Sequence, residues 1–491
     1  MHSYEELSAA ERELWDAYPT GRPVDLRTGE PEDDPEGGNG WGPDRTIRAT
    51  VVAALLRGAH PGQPGTAPAL RLMGARISGA LDLDNTEIGH GLWFEECWFE
   101  HGVSFHGAST RSISLKGSRV PGIDLTTARV EGRLSLRNTV VHGALSLLNT
   151  RVSGELILSG ATLDQPDDWA MFAGGLVVEG ALFCRRATVY GGMRLLGARL
   201  PGGLHMERAR IHRPGGVALI ADNATLTTLA LSEGFTVHGA ISLRGTHISD
   251  QLTLDGAVLD SAGSTLDCTQ MRAGVFVYTP AEAPSGLIDL RGAQVLTIRD
   301  RPDAWPGTVR LQGLTYDALI QEDGARPSSV KDRVAWIHRD PGYASQPYEQ
   351  LASWYRRIGH DDDARRVLLA RQRHRRRTLS RPARIWGHLL DATVGYGYRP
   401  WLAGVWLAAL AVFGTVAFSA GTPLPTQQGR TPPFHALVYT LDLLVPVGGL
   451  GQRGAWYWTG ATAWLAYAFI AAGWLLTTAV LAGVSRTLNK N

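Results

Sequence analysis

The residues best suited to chemistry lie in one short stretch near the C-terminal end of the sequence. Residues 434–447 are apolar except for His435 and Asp442, and a glycine-rich run follows them. The stretch is too short to cross a bilayer, and irregular backbone at membrane depth is tolerated only where protein buries it or where it lines a wet cavity. An acid in contact with lipid is costly, so Asp442 calls for a water-filled or hydrogen-bonded site. The pattern predicts a re-entrant segment over residues 434–452, with candidate site residues Asp442, Pro446, Gly448, Gly449, Gly451 and Gln452.

Two interpretations of this loop remain open. In the first, the chain oligomerises into a pore, and the loop glycines permit close approach of the backbone. In the second, the segment is an interfacial anchor, and Asp442 at the headgroup level pairs with Arg430 or Arg453. The order of helix, half-helix with glycine-rich loop, and helix resembles the two-helix pore-loop channels. The sequence lacks the Thr-Val-Gly-Tyr-Gly filter of that family, and Gln452 stands where the family usually carries an acid.

Two uncharged apolar segments flank the loop, and each is long enough for a membrane-spanning helix. They run from Trp401 to Ala420 and from about Trp458 to Val484. A dense basic tract precedes the first segment, and Arg486 and Lys490 follow the second. Because basic residues mark the cytoplasmic side of a membrane, we expect a multi-pass protein of the bacterial inner membrane with both termini in the cytoplasm. The arginines expected to contact anionic lipid are Arg371, Arg373, Arg375, Arg376 and Arg377.

Other motifs are better explained without catalysis. The run 449–454 matches the dinucleotide fingerprint, but no strand–turn–helix unit precedes it. The triplet 338–340 echoes a kinase catalytic loop without its partner motifs, and the acidic triplet 361–363 is expected to start a helix rather than bind a metal. The three cysteines, at positions 97, 184 and 268, are expected to be buried small apolar side chains. The sequence therefore predicts no catalytic, cofactor-binding or metal-binding residues.

These segments must be positioned by the remainder of the chain, which is dominated by an internal repeat of about eleven residues. After Gly132, apolar or small residues follow at offsets two, four, seven and nine: Leu134, Leu136, Thr139 and Val141. The same rule starts again at Gly79, Gly143, Gly154, Gly191, Gly202, Gly239 and Asp250. Alternation at a spacing of two indicates short strands with one buried face. Two units make a coil of about 22 residues, and the stretch from Arg71 to Leu314 would stack roughly ten coils.

This pattern predicts a β-solenoid, a parallel β-helix with a narrow aliphatic interior. It resembles the pentapeptide-repeat proteins, whose coils also carry Leu or Phe inside and small residues at the corners, although each half-coil here has one extra residue. The expected domains are an N-terminal helical cap and linker (1–70), the solenoid (71–315), a basic helical neck (327–395) and an α-helical transmembrane hairpin (396–491). The whole layout also resembles bacterial proteins often labelled membrane-associated oxidoreductase.

The composition is balanced, with 48 Lys and Arg against 47 Asp and Glu, so it does not indicate nucleic acid as a partner. DNA mimicry is disfavoured because the solenoid surface mixes charges, such as Arg133, Arg137, Arg151 and Glu155, where an acidic stripe is required. We expect a membrane-anchored interaction or regulatory module; in the pore interpretation, its solenoid would also gate an ion-channel-like hairpin. The alternative function is that of a membrane-associated oxidoreductase. The expected partners are membrane lipid, further copies of the chain, and a protein on the solenoid face or on its insertions near Asp164–Gly175 and Ser261–Ser285.

Overall fold

The structure is a computed structural model, and it describes residues 4–30, 33–60, 65–321, 328–378, 401–427, 432–445 and 449–488. The chain divides into two compact units, Met1–Gln350 and Leu351–Asn491. The first unit contains the solenoid, and the second contains two apolar helices of membrane-spanning length.

The first unit is a β-solenoid, as the repeat predicts, and it has about 11 turns where the repeat predicts roughly ten. Its described strands form two parallel sheets of 17 strands each. The strands of the first sheet are Val24–Asp25, Leu70–Met73, Glu87–Glu95, Ser109–Ser114, Arg129–Val130, Leu134–Ser135, Arg151–Val152, Leu156–Ile157, Val177–Val178, Leu182–Phe183, Arg199–Leu200, Leu204–His205, Thr225–Ala230, His247–Thr253, Arg272–Tyr278, Gln294–Asp300 and Thr315–Gln321. The strands of the second sheet are Thr46–Arg48, Arg76–Ser78, Leu81–Asp82, Trp98–Phe99, Val103–Ser104, Arg119–Val120, Ile123–Asp124, Val140–His142, Leu145–Ser146, Thr162–Phe172, Thr188–Arg194, Arg210–Ile220, Thr236–Ser242, Val258–Asp260, Ser264–Asp267, Leu287–Asp289 and Val309–Arg310.

The leucines of the repeat form ladders inside the solenoid. Leu134 pairs in register with Leu156, which pairs with Leu182 and then with Leu204 in successive coils. All six leucines of the three best repeats are at most 1% exposed: Leu134, Leu136, Leu145, Leu147, Leu156 and Leu158. Burying apolar surface contributes about 25 cal/mol per Å² to the free energy of folding. The stacked leucines therefore contribute strongly to the stability of the solenoid.

The corners of each coil depend on two different backbone requirements. Six residues after each repeat glycine the backbone turns left-handed, and this position holds Asn138 (φ 54°) and, one coil later, Gly160 (φ 70°). The repeat glycines themselves stack closely, because a Cβ on Gly154 would lie 2.6 Å from the carbonyl oxygen of Gly132. The small residue after the left-handed corner also bonds between coils, since the buried Thr139 hydroxyl donates to the Leu115 carbonyl at 2.7 Å.

The N-terminal end of the solenoid is covered by two helices, Ala9–Ala17 and Ala49–Leu56. The predicted cap and linker region (1–70) also contributes strands, because Val24–Asp25 and Thr46–Arg48 pair parallel with the next coil in each sheet. Short 3-10 helices complete this region at Tyr4–Glu6, Tyr18–Thr20, Pro35–Gly40 and Pro43–Arg45. The buried carboxylate of Glu11 accepts hydrogen bonds from the main chain and the guanidinium of Arg48, at 3.0 and 2.7 Å, and so joins the first helix to the first coil.

The C-terminal end of the last coil is closed by the helix Val330–His338 and the chain after it. The Arg339 carbonyl accepts the Val309 N–H at 3.2 Å, and the Asp340 carboxylate accepts the Leu311 N–H at 3.1 Å. The Gln346 side chain accepts the Gly313 N–H at 2.8 Å. These groups replace the hydrogen-bond partners that a further coil would supply. The triplet 338–340 is therefore part of a structural cap.

The second unit contains the remaining helices. A helix at Gln346–Arg357 crosses the boundary between the units, and the basic helix Asp361–Thr378 follows. We call Trp401–Ser419 the first apolar helix, Ala436–Leu444 the short helix, and Ala461–Leu488 the second apolar helix; a single turn at Gln452–Ala455 precedes the second apolar helix. An antiparallel pair, Leu424–Pro425 with Trp456–Tyr457, joins the end of the first apolar helix to the start of the second.

Both apolar helices are long and apolar enough to cross a membrane, by length and composition. Their best windows are Leu402–Ser419 and Ala461–Thr478, with mean hydropathies of 2.0 and 1.3. Only 17% and 22% of these windows are buried, whereas the core helix of a soluble protein is mostly buried.

Candidate functional site

The short helix packs against both apolar helices. A Cβ on Gly414 of the first apolar helix would overlap the Thr440 methyl group and the Phe469 ring, and a Cβ on Gly473 of the second would overlap the Leu444 main chain. These glycines therefore permit a close approach of helices that a larger residue would prevent. The shared core consists of Phe418, Tyr439, Leu443, Leu444, Ala466 and Phe469.

Asp442 projects from the short helix into the loop that follows it. Its side chain is 2% exposed. Its carboxylate accepts the main-chain N–H of Leu450 at 2.7 Å and that of Arg453 at 2.6 Å. Arg453 lies in the first turn of the helix Gln452–Ala455, whose free N–H groups favour a negative charge. The two main-chain donors satisfy the buried carboxylate, which fastens the loop to the short helix.

Gln452 fastens the same loop at its other edge. Its side chain is 5% exposed, and its amide nitrogen donates to the Pro433 carbonyl at 2.9 Å. Its amide oxygen accepts the His435 N–H at 3.5 Å. Gln452 thus holds the start of the short helix.

The structure brings together four of the six candidate loop residues, namely Asp442, Gly449, Gly451 and Gln452; Pro446 and Gly448 lie outside the described residues. Gly451 has a left-handed φ of 80°, so this position favours glycine for its backbone. A Cβ on Gly449 would lie 3.9 Å from the Asp442 carboxylate, which is ordinary contact. Asp442 meets Arg453 through the main chain rather than through the guanidinium, and Arg430 lies outside the described residues.

The basic helix begins at the acidic triplet, as the sequence predicts. Arg365 pairs with Asp362 at 3.2 Å, and Arg366 pairs with Asp363 at 3.1 Å. Of the arginines expected to contact lipid, Arg373 and Arg375 are exposed, and Arg371 and Arg376 are partly buried. The Arg377 side chain and residues 379–400 lie outside the described part of the chain.

The cysteines of the solenoid are buried, as expected. Burial raises the pKa of the Cys97 thiol to about 12 and raises the pKa of Cys184 and Cys268 as well. The nucleophilic and redox-active form of cysteine is the thiolate, so these residues act as packing groups at neutral pH.

The two insertions predicted from the sequence lie in the second sheet and its connections. The first lies within the strand Thr162–Phe172, where residues 166–168 are exposed. Its Trp169 packs beneath the Arg213 guanidinium of the strand Arg210–Ile220, 4.0 Å from the ring centre. The second covers a turn at 261–263 and the segment 279–286.

A groove on the first sheet was not predicted from the sequence. It comprises two cavities of about 480 and about 1020 Å³ that share Arg137, Asn138 and Ile157 as lining residues. We call their combined lining, from Trp93 to Glu233, the arginine groove. A signal was present in the sequence, because opposite charges 22 residues apart, such as Arg133 and Glu155, become neighbours in adjacent coils.

No protein-family model, curated protein or solved structure matches this chain.

Proposed function

We propose that this protein is a membrane-anchored interaction module, in which the two apolar helices form the anchor and the solenoid binds a partner in the cytoplasm. The proposal is carried by the outer surface of the two apolar helices. Val412, Val416, Trp464 and Leu475 are between 64% and 76% exposed in the chain itself. Soluble monomers rarely expose so much contiguous apolar surface, whereas a bilayer core suits it.

The solenoid suits the role of an interaction module because it is rigid and its surface is extended. Parallel pairing repeats the same outward positions in every coil, so side chains about 22 residues apart lie in columns along its length. The basic helix supports a cytoplasmic position for the solenoid, because arginine-rich segments next to a membrane attract anionic lipid on that side.

Membrane extraction tests the anchor. We expect the full chain to stay in the membrane fraction after alkaline carbonate washing. Val412→Arg should weaken this retention, because Val412 lies near the middle of the helix Trp401–Ser419 and a central arginine costs about 2.5–3.5 kcal/mol on insertion scales. Val412→Leu is the matched control and should behave as the wild-type chain. Release of the wild-type protein by carbonate would overturn the proposal.

A second candidate function is an oligomeric pore, and the fastened loop is the observation that favours it. Asp442 and Gln452 hold the loop over 449–453 in one conformation within a single chain. A pore predicts ion flux in liposomes that contain the purified chain. Because Gly449 has ordinary clearance within the chain, Gly449→Val should fold normally and still change the flux if copies meet at this residue. Asp442→Asn should also change it. A well-folded wild-type preparation that conducts no ions would reject the pore and leave the anchor intact.

A further inference from the structure

The floor of the arginine groove is a column of outward residues on successive coils. Ser135, Ile157 and Phe183 line the cavities and are register partners in turn. His205, outside both linings, is the next register partner. The Phe183 and His205 rings stack at 5.1 Å, and the Arg185 guanidinium lies 4.9 Å from the Phe183 ring centre. The groove therefore has an apolar and aromatic strip at its base. It crosses about six coil spacings, or roughly 29 Å, which matches eight or nine residues of extended peptide.

The charges that line the groove are almost all paired between adjacent coils. The four ion pairs are Lys116–Glu95 at 3.5 Å, Arg133–Glu155 at 3.1 Å, Arg185–Glu207 at 3.1 Å and Arg208–Glu233 at 3.4 Å. The remaining two lining cations are Arg137 and Arg186, and within the described residues neither side chain makes an ion pair. The groove thus has a surplus of two positive charges at defined positions.

Arg137 and Arg186 line the same cavity, together with Ser159 and Gly160 of the coil between them. The Asn138 N–H donates to the Ser159 carbonyl at 3.0 Å, and the Gly160 N–H donates to the Arg185 carbonyl at 2.8 Å. The coil with Ser159 and Gly160 therefore lies between the two arginines, which are separated by about two coil spacings, or roughly 10 Å. Guanidinium groups at these two positions can bind carboxylates.

Arg186 lies at a corner of the coil, with a left-handed φ of 56°, which Asn138 and Gly160 occupy in the two preceding coils. A long side chain is disfavoured in this conformation relative to glycine or asparagine. Arg208 and Glu233 have the same conformation, with φ of 61° and 53°, so the left-handed backbone belongs to the corner and not to Arg186 alone.

From these observations we propose that the arginine groove binds an extended acidic peptide segment of a partner protein, with acidic side chains at Arg137 and Arg186 and apolar side chains on Ile157 and Phe183. This inference rests on the proposed function, because it names the partner of the solenoid. Surplus positive charge at fixed positions gives specificity for an anion, and the length and apolar floor favour a peptide over a small ion.

The test uses the full chain in a neutral detergent and a fluorescently labelled ten-residue peptide of alternating glutamate and valine. Anisotropy should show saturable binding that weakens with added salt. The double variant Arg137→Glu/Arg186→Glu should weaken binding by at least about tenfold. The milder double variant Arg137→Gln/Arg186→Gln should weaken it less, and a peptide with lysine in place of glutamate should not bind.

The matched control is Arg129→Glu/Arg151→Glu. These two arginines are exposed and lie in adjacent coils of the same sheet, outside both cavities. The control has the same net charge as the test variant, and it should bind the peptide almost as well as the wild-type chain. Equal loss in both double variants, or no saturable binding by the wild-type chain, would overturn the inference. Because binding is measured in detergent, its failure is separate from failure of membrane retention.

Discussion

At the residue scale, the solenoid separates side chains that must be apolar from side chains that are free to vary. Leu145 is fully buried between Ile123 and Met171 of the neighbouring coils. Ser135 lies on the outer face and is partly exposed. Since alternate residues of a strand point to opposite faces, the stability of the repeat depends on the inward positions.

Leu145→Asp should destabilise the protein by several kcal/mol, because it buries an unpaired charge in a stacked core. The loss should appear as a much lower melting temperature and poor expression. Ser135→Asp places the same side chain on the outer face and should change the melting temperature little. Normal stability of Leu145→Asp would show that the eleven-residue register is wrong.

The corner at Arg186 carries a second residue-scale prediction. Arg186→Asn places a residue tolerant of left-handed backbone at φ 56° and should stabilise the fold by about 0.5–1 kcal/mol. The same substitution should weaken peptide binding. Arg185→Asn is the control. Arg185 has no left-handed backbone and pairs with Glu207, so this substitution should not stabilise the fold. A destabilised Arg186→Asn would contradict the assignment of strain.

At the element scale, side chains close each end of the solenoid by accepting hydrogen bonds from main-chain N–H groups. Glu11 does so at the N-terminal end, and Asp340 does so at the C-terminal end. Burial alone would raise the pKa of the Glu11 carboxyl, but hydrogen bonds from the Arg48 side chain and from the Ser8 and Arg48 main chain outweigh it, so the pKa is lowered from 4.5. A lowered folded-state pKa stabilises the fold above the unfolded-state pKa, and this stabilisation is lost as the pH falls through the folded-state value.

Glu11→Gln should therefore lower the free energy of unfolding at pH 7 by about 1–3 kcal/mol, since charged hydrogen bonds at a buried site are lost. The difference between the variant and the wild-type chain should shrink as the pH falls below about 4.5. Denaturant titrations at pH 7, 5 and 3.5 measure this difference in the free energy of unfolding. A difference that is constant over this range would contradict the role of the Glu11 charge.

The loop between the apolar helices gives the other element-scale prediction. Asp442→Asn weakens two hydrogen bonds to main-chain N–H groups, so the amides of Leu450 and Arg453 should exchange faster with deuterium. Amides inside the short helix, such as that of Leu443, should exchange at nearly the wild-type rate and serve as the internal control. Unchanged exchange at Leu450 and Arg453 would show that Asp442 does not hold the loop.

The sequence predicts the elements whose stability comes from local periodicity, and it misses those that depend on contacts between distant residues. The spacing of Leu134, Leu136 and their repeats is sufficient for the strands and their inward faces. The strand Val24–Asp25 has only two residues and exists because Leu72 and Met73 pair with it. Similarly, the cap at Asp340 and the main-chain contact of Asp442 with Arg453 depend on tertiary placement, which no short pattern encodes.

At the scale of the whole molecule, two units with different chemistry share one chain. The solenoid buries a continuous apolar interior and presents charged columns outside. The C-terminal unit has the opposite arrangement, because its satisfied polar groups, such as Asp442, are inside and apolar side chains such as Val412 are outside. This reversal is what an aqueous module and a lipid-embedded module each require, and it underlies the proposed anchor.

The most direct test of the anchored solenoid is the sidedness of single introduced cysteines in intact cells. The three natural cysteines are buried, so a membrane-impermeant maleimide should label the native chain weakly. Cysteine at exposed Gln427, between the apolar helices, should react in intact cells. Cysteines at Gly395 and Asn491 should react only after the membrane is opened, since basic residues flank both outer ends of the hairpin. Labelling of positions 395 and 491 from opposite sides, or of position 427 only after opening, would contradict a hairpin with the solenoid in the cytoplasm.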